Sequence, residues 1–203
     1  MARRNQHTLA QLEALIIDAA ELILRHDGVK ALTVRRVALE IGYTVGSLYM
    51  VFESMECLIA RLKQRAWERL SQALTMVSAN ETNEITAFLR AWAEAYWHFA
   101  QQERHAFLML FEQRGGANDW CDAARRDALS SPLAAVLRRH HPGLTSDAAL
   151  YAARAYWCAV HGACHLALTD RLSSADTVTL LNHYAACFSA CEVFVPDAAN
   201  CQR

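Results

Sequence analysis

The sequence predicts an all-α protein of about nine helices, and three observations carry that expectation. Alanine and leucine dominate the chain. Only 7 glycines and 3 prolines interrupt its 203 residues. Apolar residues recur at steps of three and four along most of its length. At 54% hydrophobic and 20% charged residues, the chain is neither a solvated disordered polymer nor a low-complexity linker. Its length suits one ordinary domain or two small ones with a sizeable core.

The first helix shows in Leu9, Leu12, Ile16, Ala19 and Ile23, which share one face, and it stops near Gly28, which can take a left-handed C′ conformation. Thr33 is an N-cap for a two-turn helix ending at Glu40. Arg36 rather than Glu or Gln stands three residues on, so this is a simple cap and not a capping box. Gly42 marks a turn, and Thr44 caps a second short helix through Val51. Ser54 caps a longer helix from Met55 to about Val77, followed by the polar break 78–83. Ile85–Ala100 carries Phe88, Trp92, Ala95, Tyr96 and Phe99 on one face. A helix from about Arg104 to Gln113 ends at Gly115-Gly116. The stretch 119–140 is helical by composition, with Pro132 expected to kink or restart it. Asp147–Leu168 and Ser174–Phe194 are the last two helices, and 196–203 is a tail.

The two short helices 33–40 and 44–51, joined by a turn containing Gly42, have the form of a helix-turn-helix. Ala38 is small where the helices cross, and Val37, Ile41, Val45 and Leu48 can close their core. In such a unit the second helix enters the major groove of DNA. Thr33 and Thr44 then bring helix N-termini and hydroxyls to phosphates, Tyr49 offers a phenol to another, and Arg35 suits a bidentate contact to guanine. A plain helical bundle can contain the same pair of helices.

The segment 32–58 resembles the DNA-binding domain of TetR-family regulators. The match runs in order and without a gap: Thr33-x-Arg35-x-x-Ala38, then Gly42, then Gly46-Ser47-Leu48-Tyr49-x-x-Phe52, then Ser54-x-Glu56-x-Leu58. Further on, Arg104–Phe111 and Trp157-x-x-x-His161-Gly162 resemble family C-terminal domains of the Trp-x-x-x-His-Gly type. The resemblance implies an N-terminal three-helix DNA-binding domain over 8–65 and a C-terminal helical domain over 66–196 for effector binding and dimerisation. It implies a homodimer, in the role of a ligand-responsive repressor, on a palindromic double-stranded DNA operator. Val45, Gly46, Ser47, Tyr49 and Met50 fall on the recognition helix, and Arg3 and Arg4 form an N-terminal arm that adds DNA contacts.

The chain departs from the family at two places. Met55 stands where the family usually has a phosphate-contacting lysine, and the recognition helix has no charge. Fewer phosphate contacts mean weaker binding with a shallower salt dependence. The formal charge of −1 neither demands nor forbids nucleic acid: 9 basic and 7 acidic residues lie up to Arg65, 11 and 14 beyond it.

Trp92, Tyr96, Phe99, Phe107, Phe111, Trp120, Trp157 and His161 are candidates to line a pocket for an apolar or aromatic effector. Aromatics at helical spacing equally fill cores. Cys158, His161, Cys164 and His165 lie within eight residues at spacings that suit zinc or copper, which makes a metal sensor an alternative. The preferred reading has no metal and no other cofactor, with His161 hydrogen-bonded in the core. A helical interaction protein with weakened DNA binding is the other alternative. No nucleophile elbow, zincin, phosphate-loop or dinucleotide motif is present, so no enzyme is expected. Arg3 and Arg4 are followed by no apolar signal segment, and no run of about 18 apolar residues can span a membrane. The expected location is the cytoplasm. The seven cysteines, an odd number without a C-x-x-C pair, read as small buried hydrophobes in a reducing compartment.

Overall fold

A computed structural model of the chain describes residues 7–79, 84–112 and 123–190. Those residues form nine α-helices and no strand. In order they are α1 Leu9–Asp27, α2 Val34–Glu40, α3 Val45–Tyr49, α4 Met55–Ala79, α5 Ile85–Gln102, α6 Arg104–Glu112, α7 Ala123–His140, α8 Ser146–Leu168 and α9 Ser174–Ser189, with one 3-10 turn at Val29–Ala31. No helix among them is long and apolar enough to cross a membrane.

The chain divides into two compact units. One holds α1, α2, α3, α4 through Glu68, and α6; the other holds α4 from Arg69, α5, α7, α8 and α9. The division falls three residues beyond 65, but α6 lies with the first unit although it follows α5 in sequence. His105 at its start reaches the carbonyl of Arg25 in the last turn of α1, with Nδ1 and oxygen 3.0 Å apart.

In the first unit α1 packs against α2 and α6 and buries Leu12, Ile16, Ala20 and Ile23, and Val37, Ala38, Leu48, Leu58 and Leu62 are buried in the same unit. Each large aliphatic side chain so buried contributes about 1.5–3 kcal/mol. The start of α1 is fixed by a capping box, Thr8-x-x-Gln11: the Thr8 hydroxyl accepts from Gln11 N–H and the Gln11 amide oxygen accepts from Thr8 N–H. Gly28 follows α1 with φ 76 and ψ 176. The positive φ favours glycine, but the extended ψ turns the chain into the 3-10 turn instead of closing a left-handed cap.

In the second unit α8 packs against α7 and α9, and α9 against α5. Trp92, Leu89 and Tyr96 of α5, Leu133 of α7, and Tyr156 and Val160 of α8 are fully buried. The Tyr156 hydroxyl donates to the Leu89 carbonyl at 2.7 Å, and burial pushes its phenol well above the usual range.

Two expectations are corrected here. Of the kink or restart expected at Pro132, the restart does not occur, and α7 runs on through the proline. Proline supplies no N–H to the Ala128 carbonyl one turn back, yet Leu129, Leu133 and Leu137 are buried on both sides of it and hold the helix together. The cysteines are not uniformly buried: Cys164 is, whereas Cys57, Cys158 and Cys187 are exposed. Cys158 lies off the buried stripe of α8 made by Ala149, Ala153, Tyr156 and Val160. Cys121, Cys191 and Cys201 lie outside the described residues.

Candidate nucleic-acid interface and ligand cavity

The helix-turn-helix is built by local chemistry at three points. Thr33 Oγ1 accepts from Arg36 N–H at 3.3 Å and opens α2. Thr44 Oγ1 accepts from Ser47 N–H at 3.3 Å and opens α3. Between them Gly42 takes φ 70. Its N–H bonds the Leu39 carbonyl at 3.1 Å, and Tyr43 N–H bonds the Ala38 carbonyl at 2.9 Å. That pair of bonds is a Schellman motif, which requires the left-handed residue and turns the chain sharply into α3. Val37, Ala38 and Leu48 close the small core, and Ile41 is half-buried. A further tie is absent from the motif: His7 Nδ1 meets the Tyr43 hydroxyl at 2.7 Å, fixing the residue before the Thr8 N-cap to the turn.

The candidate DNA-contacting residues mostly lie at the surface of this unit. Arg35 in the first turn of α2 is exposed, while the adjacent Arg36 is ion-paired with Asp27. Thr33, Thr44, Val45, Gly46, Tyr49 and Met50 are exposed, so Val45 faces outward and does not join the small core. Ser47 is half-buried with its hydroxyl 3.0 Å from Thr44 Oγ1. Arg3 and Arg4 lie outside the described residues. Met55 is half-buried and lines a narrow apolar cleft with Val34, Leu48, Tyr49, Phe52 and Leu58. Beside it, Glu56 is held below the usual carboxylate range by its own backbone N–H and by the Ser54 hydroxyl.

The second unit contains a cavity of about 230 Å³. Ser71, Leu74 and Thr75 of α4, Trp92 of α5, and Ala128, Leu129 and Pro132 of α7 line it, without a charged side chain. Of the candidate ligand residues, Trp92 alone among those described is in this lining. Tyr96 stacks on Trp92 with ring centroids 5.4 Å apart, and Phe99 and Trp157 are buried. Phe107 and Phe111 are on α6, in the other unit, with ring centroids 5.0 Å apart. Trp120 lies outside the described residues. Ser71, Thr75 and Pro132 are not aromatic and so stand outside the aromatic candidates of the sequence. A proline within a helical segment was the available signal, since it leaves a backbone carbonyl without its usual partner.

Two family models match the chain. Residues 16–62 fit the one described as bacterial regulatory proteins, tetR family, and residues 89–188 fit the one described as tetracyclin repressor-like, C-terminal domain. The first spans the helix-turn-helix, and the second spans most of the cavity-bearing unit. The chain belongs to the TetR family. An uncharacterised HTH-type transcriptional regulator of Mycobacterium tuberculosis is 29% identical over 163 residues, 80% of this chain and 72% of that protein. The structure of a protein of unknown function from Rhodococcus sp. RHA1 superposes with TM-score 0.74 at 22% identity, covering 93% of this chain and 97% of that one. A TetR variant from Acinetobacter baumannii AYE in complex with minocycline superposes with TM-score 0.60 at 20% identity, covering 86% and 92%. As a TetR-family member the chain is a DNA-binding transcriptional regulator and not an enzyme.

In this TetR-family chain the Trp-x-x-x-His spacing puts Trp157 and His161 one turn apart on α8, both against Tyr96. Trp157 Nε1–H donates to the Tyr96 hydroxyl at 3.2 Å, and that hydroxyl lies 2.9 Å from His161 Nδ1. The His161 and His165 rings stand 6.0 Å apart. Among the described residues no three His, Cys, Asp or Glu side chains converge as a metal site.

Burial first, and the neighbouring His165 second, push His161 down to about 4. An unfolded histidine titrates near 6.5, so between those values the unfolded chain binds the extra proton and stability rises with pH. Stability contributed by neutral His161 is present above about pH 6.5 and is lost as pH falls towards 4. Urea denaturation is expected to show a loss of about 1–2 kcal/mol between pH 7 and 5, reduced in His161→Gln. An equal loss in both proteins would assign the effect to other groups.

Proposed function

We propose that the chain is a ligand-responsive transcriptional repressor acting as a homodimer on a palindromic operator in the cytoplasm. The observation that carries this reading is the pairing of an exposed helix-turn-helix in one unit with an uncharged cavity in the other. Helix α4 contributes to both: Met55 stands at its start beside α3, and Ser71, Leu74 and Thr75 line the cavity near its end. An effector that shifts these last side chains moves a continuous helix, and half-sites one helical turn apart tolerate little change in spacing. The minocycline complex of the A. baumannii protein supports a small-molecule response. The lining favours a neutral, largely apolar or aromatic molecule. Exposed Tyr151 and Leu166 on α8 and Val178 on α9 support dimerisation through those two helices. The motif Trp157-x-x-x-His161-Gly162 supports assignment to the branch of the family named for it.

The Met55→Lys variant tests the DNA-facing side of this reading. Lysine at the first turn of α4 places a cation where Met55 offers only apolar contact, and each additional neutralised phosphate steepens the log–log salt slope by roughly 0.9. The side chain can leave the cleft by snorkelling, at a helix-dipole cost of about 0.3–1 kcal/mol. Salt titrations on random-sequence duplex and on DNA upstream of its own gene are expected to show tighter binding to both, most of all at low salt. An unchanged slope would mean that residue 55 does not face DNA and would favour an interaction protein.

A further inference from the structure

We propose that α3 reads its operator through thymine methyl groups, with Val45 and Met50 as the contacting side chains and Arg35 supplying the polar base contact from α2. The proposal rests on the operator binding proposed above and names the DNA sequence class that the interface takes. Three observations lead to it. The exposed side chains of the recognition helix and its C-cap are Val45 at 36%, Tyr49 at 53% and Met50 at 65% of full exposure. None of them carries a charge, and neither Val45 nor Met50 can form the bidentate hydrogen bonds that identify guanine or adenine.

The hydroxyls at the start of α3 are tied to the helix itself, and the Tyr49 phenol at its end is the phosphate candidate. Thr44 Oγ1 accepts from Ser47 N–H, and the Ser47 hydroxyl lies 3.0 Å from the same oxygen. Beside that phenol, Val45 and Met50 present apolar side chains to a groove in which the only apolar feature on the base edges is the C5-methyl of thymine. Val45 opens α3 and Met50 caps its end. Five residues apart, and so about 140° apart around the helix axis, they suit two separate thymines. Arg36 is held by Asp27 and leaves Arg35 as the arginine for that contact.

Binding-site selection from random duplex libraries tests this, one library carrying thymine and the other deoxyuridine, which lacks the methyl. The thymine library is expected to yield half-sites with at least two fixed thymines. Deoxyuridine at each of them is expected to weaken binding about three- to fivefold, the value of one buried methyl-sized group. Val45→Ala and Met50→Ala should each shrink that ratio towards one at a different thymine. Selected sites that bind equally well with uracil, or a uracil penalty unchanged in both variants, would overturn the inference while leaving operator binding intact. Failure of both libraries to enrich any sequence would overturn the operator-binding reading itself, and this inference with it.

Discussion

Replacing Arg35 with alanine is expected to weaken operator binding by about 1–3 kcal/mol, some five- to 150-fold, and to relax discrimination at one base pair. The reason lies in the contrast between neighbouring arginines. Arg36 is ion-paired with Asp27, and both side chains are close to half exposed; such a surface pair contributes about 0–1 kcal/mol to stability. Arg35 stands exposed in the first turn of α2, next to the capped end that a helix-turn-helix offers to DNA. Arg36→Ala should therefore lower stability slightly and leave base discrimination unchanged. Binding titrations against the selected site and its single-base variants separate the two. Equal losses on every sequence would make Arg35 a phosphate contact.

Tyr96→Phe is expected to cost about 1–3 kcal/mol of stability, because it removes the acceptor of a buried indole N–H. Tyr96 is fully buried, and its hydroxyl joins Trp157 Nε1 to His161 Nδ1 across α5 and α8. Removing one partner alone leaves the other desolvated, so the double variant with Trp157→Phe should cost less than the sum of the single ones. Urea denaturation of the four proteins checks this. Strict additivity would show that the indole bonds elsewhere.

Much of the helical architecture was legible because its signals are local. The steps of three and four from Leu9 to Ile23 mark the buried side of α1, and Thr33, Thr44 and Gly42 carry their capping and turn chemistry in their own side chains and backbone. The capping box Thr8-x-x-Gln11 was equally available in the sequence. Periodicity does not say which element will cover a face. Hence α6 lies with α1 although it follows α5 in sequence, and Val45 faces outward although it stands four residues after Ile41 and three before Leu48. The cavity was the least legible feature. Its lining is two hydroxyl residues, two leucines, an alanine, a proline and a single tryptophan brought together from three helices, and the aromatic set that suggested a pocket is largely packed into cores.

The most direct test of regulation at a defined operator is capture of genomic DNA fragments by the purified full-length chain, with the Arg35→Ala protein in parallel. Fragments sharing an inverted repeat whose half-site centres lie about 34–36 Å apart or a multiple of that distance are expected to be enriched, with enrichment sharply reduced for the variant. Recovery of the same fragments by both proteins, or of fragments that share no inverted repeat, would contradict regulation at such an operator.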